Sequence, residues 1–466
     1  MNCSTCLTGA ALIDYVGADG IASLRVSRLC FRFMRQKKHR DAFQFFQRLG
    51  TSVEDAWRRR NYESTVFPEI AADALEKYSP GQHVDPFDAI RHLAGNHALP
   101  KQWDMEGEFS NLPITLFNGP RFYIDIYFWL DGTTTIHQHG FAGAFQVLSG
   151  SSLHSHYEFL PTRIASPHFA VGKLSLQKAQ VLSQGTIKRI IPGSNYIHCL
   201  FHLERPSTTI TIRTPGLPNA QPQFHYLSPG VAFDPFFKES TFYKKVQSAD
   251  LLLRMRHPEA ESILAQMIRE SDLHTAFMLL GNAFAYYHRN PVEQHLGLKT
   301  GIERFQKLQT AARNHHGESI DVFYEVFKEG ERQGKLVERR GYVTDEELRF
   351  FLALLLNIWG REQILKLVRQ RFTTESPAEK VLNWIEELSQ IRVLGMTESN
   401  ALGIDAFDDL HLLVTECLMR RKSLAQTQRK VSKVFSRQRS NDLQQQTKDI
   451  YESLKDRSIL APIFAD

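Results

Sequence analysis

A chain of 466 residues is too long to fold around one ordinary hydrophobic core, so its length predicts two or three domains. Hydrophobic residues make up 42% and charged residues 23% of the sequence, which is typical of a soluble globular protein. No segment approaches about eighteen uninterrupted apolar residues, which argues against a membrane-spanning helix. The net charge of +5 is too modest at this length to indicate nucleic-acid binding.

The N-terminus lacks the basic start and apolar core of a signal peptide, so we expect a cytoplasmic protein. The five cysteines are widely scattered, which is not the pattern of a disulfide framework. Cys3 and Cys6 have the spacing of a zinc-binding or redox pair, but no second pair accompanies them. A frayed terminus is the alternative interpretation.

Residues 1–105 have helical patterning, and we assign them to an N-terminal helical region. The segment from Thr51 to Glu54 has the form of a capping box, which predicts a helix that begins there and runs towards Asn61. The basic stretch at 35–40 predicts a solvated helix face, with a phosphate or membrane-surface contact as the alternative.

In residues 106–237 the pattern is different: short runs rich in β-branched and aromatic residues are separated by turn pairs such as Pro192-Gly193. This pattern predicts an antiparallel β-barrel built from two sheets. In the run 122–129, Tyr123, Asp125, Tyr127 and Trp129 share one face and the intervening apolar residues share the other. Alternation alone leaves open which face points into the barrel.

Residues 238–466 have apolar residues at helical spacing in one segment after another, which predicts a C-terminal helical domain. The segment 350–359 is apolar nearly all round, so we expect it to be buried. The polar tail 420–457 is typical of an exposed helix or a coiled-coil-like arm. The whole chain is thus predicted to be an α+β multidomain protein, with an antiparallel β-barrel flanked by N-terminal and C-terminal α-helical regions.

Two histidines two residues apart, His137 and His139, stand at the start of one predicted strand. Side chains at this spacing point to the same face of a strand, so the two rings should lie side by side. A third histidine, His198, begins a later strand and could complete a metal site with them. Two strand histidines with ordinary hydrogen bonds are the alternative. Neutral imidazoles suit iron, zinc, copper and nickel.

The two motifs together resemble those of the cupin family, which has the double-stranded β-helix fold. The first motif is matched by Gly132, His137, His139 and the closing Gly150, and the second by the Pro-Gly turn that precedes His198. The family also carries a Glu ligand before the closing Gly, and this chain has no Glu there. Within that interval, Gln146 could hydrogen-bond a metal-bound water in its place.

The loss of the Glu makes residues 115–215 similar to the thiol dioxygenases of the cysteine dioxygenase type. That resemblance implies a ferrous iron held by three neutral histidines, which are His137, His139 and His198 in this sequence. Zinc, nickel, manganese and copper are the alternative metals. The cysteine of that family's cross-link has no counterpart here, since Ala144 or its neighbour occupies the place. Free cysteine is therefore not the favoured substrate.

Further residues are candidates for the same site. His202 lies four residues after His198 and therefore on the same strand face, where it could orient the ligands or act as a fourth one. Arg213 could clamp a substrate carboxylate, with a surface arginine as the alternative. Tyr127 could line the pocket. We expect His154 and His156 to be surface histidines, because their strand should be leaving the barrel mouth.

The leading hypothesis is a mononuclear non-haem Fe(II) dioxygenase that uses O2 on a small anionic organic substrate. We expect no nucleic-acid or membrane partner. One alternative is a metal- or ligand-binding cupin without catalysis, which contacts a protein partner or a second copy of itself through its helical domains. The other is a zinc or nickel cupin with isomerase or hydrolase chemistry, which needs no oxygen.

Overall fold

A computed structural model of the chain describes residues 42–95, 98–107, 109–130, 134–217, 221–288, 300–373, 376–392, 400–404, 407–435, 440–456 and 458–465. The Cys3–Cys6 pair, the basic stretch at 35–40 and Gly132 lie outside the described residues. Among the described helices, none combines the length and apolarity needed to cross a bilayer.

The helices that precede the first strand are α1 (Ala42–Arg58), α2 (Phe67–Tyr78), α3 (Pro80–His83) and α4 (Asp88–Ala94). The helix start predicted at Thr51 is wrong, because α1 already includes Ala42 and passes through this position. The Thr51 hydroxyl donates to the Gln47 carbonyl one turn earlier, at 2.9 Å, rather than capping a new helix. Buried residues at helical spacing continue on both sides of it, namely Phe46, Leu49, Val53 and Trp57.

The β region contains β1 (Leu112–Asn118), β2 (Tyr123–Trp129), β3 (Ile136–His137), β4 (Gly143–Ser149), β5 (Ser152–Ser166), β6 (Phe169–Leu182), β7 (Ile187–Ile190), β8 (Ile197–His202), β9 (Ser207–Arg213), β10 (His225–Leu227) and β11 (Val231–Phe233). One sheet has the strand order β1-β2-β9-β4-β7, and the other strands close into a barrel in the order β10-β11-β6-β5-β8-β3. With helices before and after these strands, the predicted fold class is confirmed.

The helices after the strands are α5 (Ser240–Arg254), α6 (Ala260–Arg269), α7 (Leu273–His288), α8 (Thr300–His316), α9 (Asp321–Tyr342), α10 (Glu346–Asn357), α11 (Arg361–Arg371), α12 (Pro377–Gln390), α13 (Asp409–Met419), α14 (Leu424–Val434), α15 (Ser440–Asp456) and α16 (Ala461–Phe464). Helix α10 is buried from Leu348 to Leu356, as predicted. The exposed arm predicted for the tail is wrong, because Val431, Leu443 and Leu454 are buried in the core of the helical domain.

Contacts between residues divide the chain into two compact units. The first takes the described residues within Met1–Ser152, Leu182–Ile197 and Glu204–Phe224, and the second takes those within Leu153–Val181, His198–Leu203 and His225–Asp466. In the second unit, Leu153 of β5 and Phe201 of β8 belong to the same hydrophobic core as helix α10. These two strands are therefore anchored by the C-terminal helices.

In the first unit, one face of β2 packs in a core with the N-terminal helices. Ile124, Ile126 and Phe128 share this core with Phe67 of α2 and with Ile212 of β9. Because strand side chains alternate, Tyr123, Asp125, Tyr127 and Trp129 lie on the opposite face of the sheet, together with the odd-numbered residues of the paired strand β9. The sequence left open which face of this strand is covered. In the structure, the N-terminal helices cover the apolar face.

Candidate metal centre

Three buried histidines converge in the structure. One ring nitrogen from each of His137, His139 and His198 lies within 4.8 Å of the others, and all three side chains are buried. The ring centroids of His137 and His139 are 4.5 Å apart, in an edge-to-face arrangement.

The Pro192-Gly193 turn contacts the backbone of His139. Gly193 donates its backbone N–H to the His139 carbonyl at 2.8 Å, and His139 forms a parallel bridge with Pro192. Gly193 has a φ of 83°, a left-handed conformation that favours glycine over residues with a Cβ. The Pro-Gly pair therefore fixes the position of His139 and leads the chain directly to β8.

A hydrogen bond at Nδ1 leaves the opposite nitrogen of His137 for a metal, and Nδ1 of His198 also has a partner. His137 Nδ1 lies 2.7 Å from the Thr135 carbonyl oxygen, and a carbonyl oxygen only accepts, so Nδ1 carries the proton and Nε2 keeps its lone pair. His198 Nδ1 lies 2.9 Å from His154 Nε2. Metal-ligating histidines generally use their second nitrogen in this way. The donor set therefore fits a first-row divalent metal such as iron.

Burial keeps the rings of His137 and His139 neutral. Desolvation is the main cause that lowers the pKa of His137 to about 4; the hydrogen bond with Thr135 opposes this shift, and the nearby positive charge of Arg213 adds to it. Burial, His137 and Arg213 together hold the pKa of His139 well below its usual range. A neutral imidazole is the form that binds metal, so no proton has to be removed from these rings at neutral pH.

His202 is buried on β8, with 1% of its surface exposed. Burial lowers its pKa to about 3. It is not a member of the three-histidine group found among the described residues. Its assignment as an orienting residue or fourth ligand stays a prediction.

Acid should destabilise the protein through His202. Its folded-state pKa of about 3 lies below the ordinary value of 6.5, so the unfolded chain takes up a proton first as the pH falls. The contribution of the neutral ring to stability is complete above pH 6.5 and is lost as the pH falls from there towards 3. We expect a loss of up to about 1.4 kcal/mol per pH unit from this group.

Urea unfolding of the wild type and His202→Gln, followed from about pH 7 to pH 4.5, measures this loss. The free energy of unfolding should fall more steeply in the wild type than in the variant. Parallel curves would contradict the prediction.

His154 is not a surface histidine, so that prediction is wrong. It is fully buried, and its Nε2 contacts Nδ1 of His198 at 2.9 Å. The first residues of β5 are buried, and only the later part of this long strand becomes exposed, so the chain leaves the barrel later than the sequence suggested. The second His-x-His after Gly150 was visible in the sequence, but this pattern does not tell where the strand leaves the barrel.

Arg213 lies between two aromatic rings at the end of β9. Its guanidinium carbon is 3.3 Å from the centroid of Phe141 and 5.4 Å from that of Tyr123. Within the described part of the chain, its Nε forms no hydrogen bond. In the pairing of β9 with β4, Arg213 lies opposite Gly143. A Cβ at position 143 would collide with the Ile212 carbonyl. The absence of a side chain at Gly143 therefore allows β4 to approach β9 closely beside the arginine.

Tyr127 lies on the same face of the first sheet and is buried. Its hydroxyl donates to Asp125 Oδ2 at 2.9 Å. Burial raises the pKa of both groups, and Asp125 raises that of Tyr127 further. Sequence reasoning gave Asp125 no role, because a single Asp within an aromatic strand carries no motif.

Gln146 lies on the other face of this sheet, so its interpretation as a substitute for the missing Glu is wrong. It shares a face of β4 with Ala144 and Leu148, which pack in the core with the N-terminal helices. Its amide donates to the Gly185 carbonyl at 3.2 Å.

No protein-family model and no curated protein matches this sequence. Solved structures do match part of it. A hydroquinone 1,2-dioxygenase from a Sphingomonas species is 12% identical over 29% of this chain and 75% of that chain, with a TM-score of 0.20. A double-stranded β-helix protein from Klebsiella pneumoniae is 12% identical over 30% and 88% of the two chains, with a TM-score of 0.18.

A recombinant oxalate oxidase is 16% identical over 27% of this chain and 60% of that chain, with a TM-score of 0.18. One of the three matched structures is thus described as having a double-stranded β-helix domain. Each of these alignments covers less than a third of the chain at low identity, so the function has to be argued from the site itself.

Proposed function

We propose that this protein is a mononuclear non-haem Fe(II) oxygenase of the cupin type, in which His137, His139 and His198 hold the metal. The observation that carries the proposal is the convergence of three buried imidazoles whose ligand atoms lie within 4.8 Å of one another. Iron is favoured over zinc, nickel, manganese and copper because the sequence resembles the thiol dioxygenases, which hold ferrous iron with three neutral histidines.

Three neutral ligands leave the charge of a divalent metal uncompensated, so an anionic substrate is the natural complement. Ferrous iron, when bound, would supply the activation of O2 and a coordination position for the substrate. Arg213 would hold the far end of that anion, because it carries a fixed positive charge close enough to lower the pKa of both His137 and His139.

Tyr127 and His202 are the remaining candidates for the chemistry. Tyr127 keeps its proton at neutral pH, because burial raises its pKa, so it would act as a hydrogen-bond donor rather than as a base. His202 remains neutral and would orient the other residues of β8 or the substrate. Both roles require the bound substrate to lie within reach of the side chain concerned.

Metal analysis combined with oxygen uptake tests the proposal. Protein purified without oxygen should contain about one first-row metal per chain, and reconstitution with Fe(II) should support O2 consumption with a small anionic substrate. Thiol carboxylates are the first compounds to screen. Bound zinc or nickel without oxygen uptake would favour isomerase or hydrolase chemistry. A metal-loaded protein with no turnover would favour a regulatory cupin that binds a protein partner.

A further inference from the structure

A chain of two polar side chains, His154 and Gln180, leads away from His198 within the second unit. His198 Nδ1 lies 2.9 Å from His154 Nε2, and His154 Nδ1 lies 3.5 Å from Gln180 Nε2. His154 and His198 have 0% and 2% of their surface exposed. Hydrogen bonds between such buried groups are electrostatically stronger than they would be in water.

Two proton arrangements are compatible with these contacts. When the Gln180 amide nitrogen donates to His154 Nδ1, the proton of His154 is on Nε2 and is donated to His198 Nδ1. His198 then carries its own proton on Nε2, which blocks that nitrogen as a ligand. We call this the blocked arrangement.

The opposite arrangement frees His198 for the metal. If the Gln180 amide turns by half a rotation, its oxygen accepts a proton from His154 Nδ1 and His154 Nε2 becomes an acceptor. His198 then donates from Nδ1 and presents a lone pair at Nε2. Each ring carries one proton in both arrangements, so the change moves protons without altering charge. We call this the open arrangement.

We propose that Gln180 and His154 are positioning residues that select the metal-binding tautomer of His198. This inference rests on the proposed metal centre. The contacts observed, with Gln180 Nε2 facing His154, correspond to the blocked arrangement, so metal binding requires the amide to turn. The apparent affinity for metal is then the affinity of the open arrangement multiplied by the fraction of molecules in that arrangement.

A carboxylate at position 180 can only accept hydrogen bonds, so Gln180→Glu should hold the open arrangement. We expect it to bind Co(II) roughly three- to tenfold more tightly than the wild type, because the blocked arrangement is removed. The control is Lys178→Gln, an exposed change two residues away on the same strand that shifts the net charge by the same amount. It should leave the affinity nearly unchanged.

Replacing His154 tests the other member of the pair. His154→Leu removes the acceptor for His198 Nδ1 and should weaken Co(II) binding by about 10- to 100-fold. His154→Gln restores an amide oxygen that can accept this proton, so it should recover most of the loss. His156→Ala, whose ring lies 4.2 Å from that of His154, controls for the loss of a neighbouring imidazole.

Competition with a chelator measures the Co(II) affinities. Nitrogen-15 NMR of histidine-labelled, metal-free protein reports the tautomer of His198, whose signals are those missing from His198→Gln. The proposal predicts more of the Nδ1–H tautomer in Gln180→Glu than in the wild type.

Equal Co(II) affinities for Gln180→Glu and Lys178→Gln, or wild-type affinity in His154→Leu, would overturn the selection of the tautomer. If the wild type binds no Co(II), the proposed metal centre fails, and the NMR comparison then decides the inference by itself. An unchanged His198 tautomer in Gln180→Glu would overturn it.

Discussion

The double variant His137→Ala/His139→Ala is expected to lose its metal, from about one bound ion per chain to less than about a tenth. In the proposed site the two rings supply two of the three ligands, and the single imidazole that remains on β8 would bind a metal ion only weakly. Inductively coupled plasma mass spectrometry of the purified proteins measures the change. Metal content should fall while the secondary structure seen by circular dichroism is retained.

Two controls separate ligand loss from damage to the fold. His315→Ala removes an exposed histidine from α8 and should leave the metal content unchanged. His137→Gln/His139→Gln fills more of the volume of the buried rings without supplying imidazole ligands, so it should lose metal with a smaller cost in stability. Undiminished metal in both double variants would show that the ion is bound elsewhere.

Much of the β region could be predicted from the sequence because its signals are local. Period-two alternation and turn pairs identified the strands, and the spacing of His137 and His139 placed both rings on one face. The turn at Gly193 also follows from residue type, since a positive φ favours glycine. These features depend on neighbouring residues alone.

The errors concern features that depend on distant parts of the chain. A capping box at Thr51 is a valid local signal, but the apolar stripe of α1 runs through it and overrides it. The polar tail has few apolar residues, yet Leu443 and Leu454 are enough to bury α15 against the helical core. His154 could not be placed, because its burial depends on where β5 leaves the barrel and not on its own motif.

Replacing Arg213 by Lys should weaken substrate binding by about 10- to 100-fold while metal content stays constant. Lysine keeps the positive charge but loses the planar fork that binds a carboxylate with two hydrogen bonds. It also loses the flat contact with the Phe141 ring, 3.3 Å from the guanidinium carbon. One charge-assisted hydrogen bond contributes on the order of 1.5–3 kcal/mol, which corresponds to this range of affinity.

Mercaptoacetate is a suitable probe, because it carries a thiolate for the metal and a carboxylate for the arginine. Its affinity can be measured by titration of Co(II)-loaded protein and followed by absorption. Arg121→Lys is the matched control, since Arg121 also stacks on a tyrosine ring, at 4.2 Å from Tyr62, but is exposed and lies two residues before β2. It should bind the probe like the wild type.

The constant metal content has its own physical reason. The charge of Arg213 helps to keep His137 and His139 unprotonated, and a lysine at this position would preserve that charge. Arg213→Met removes it, so in the metal-free protein both histidines should protonate at a higher pH than in Arg213→Lys, which an NMR titration measures. Wild-type affinity for mercaptoacetate in Arg213→Lys would place this residue outside the substrate pocket. Charge at position 213 would then serve only to keep the metal ligands neutral.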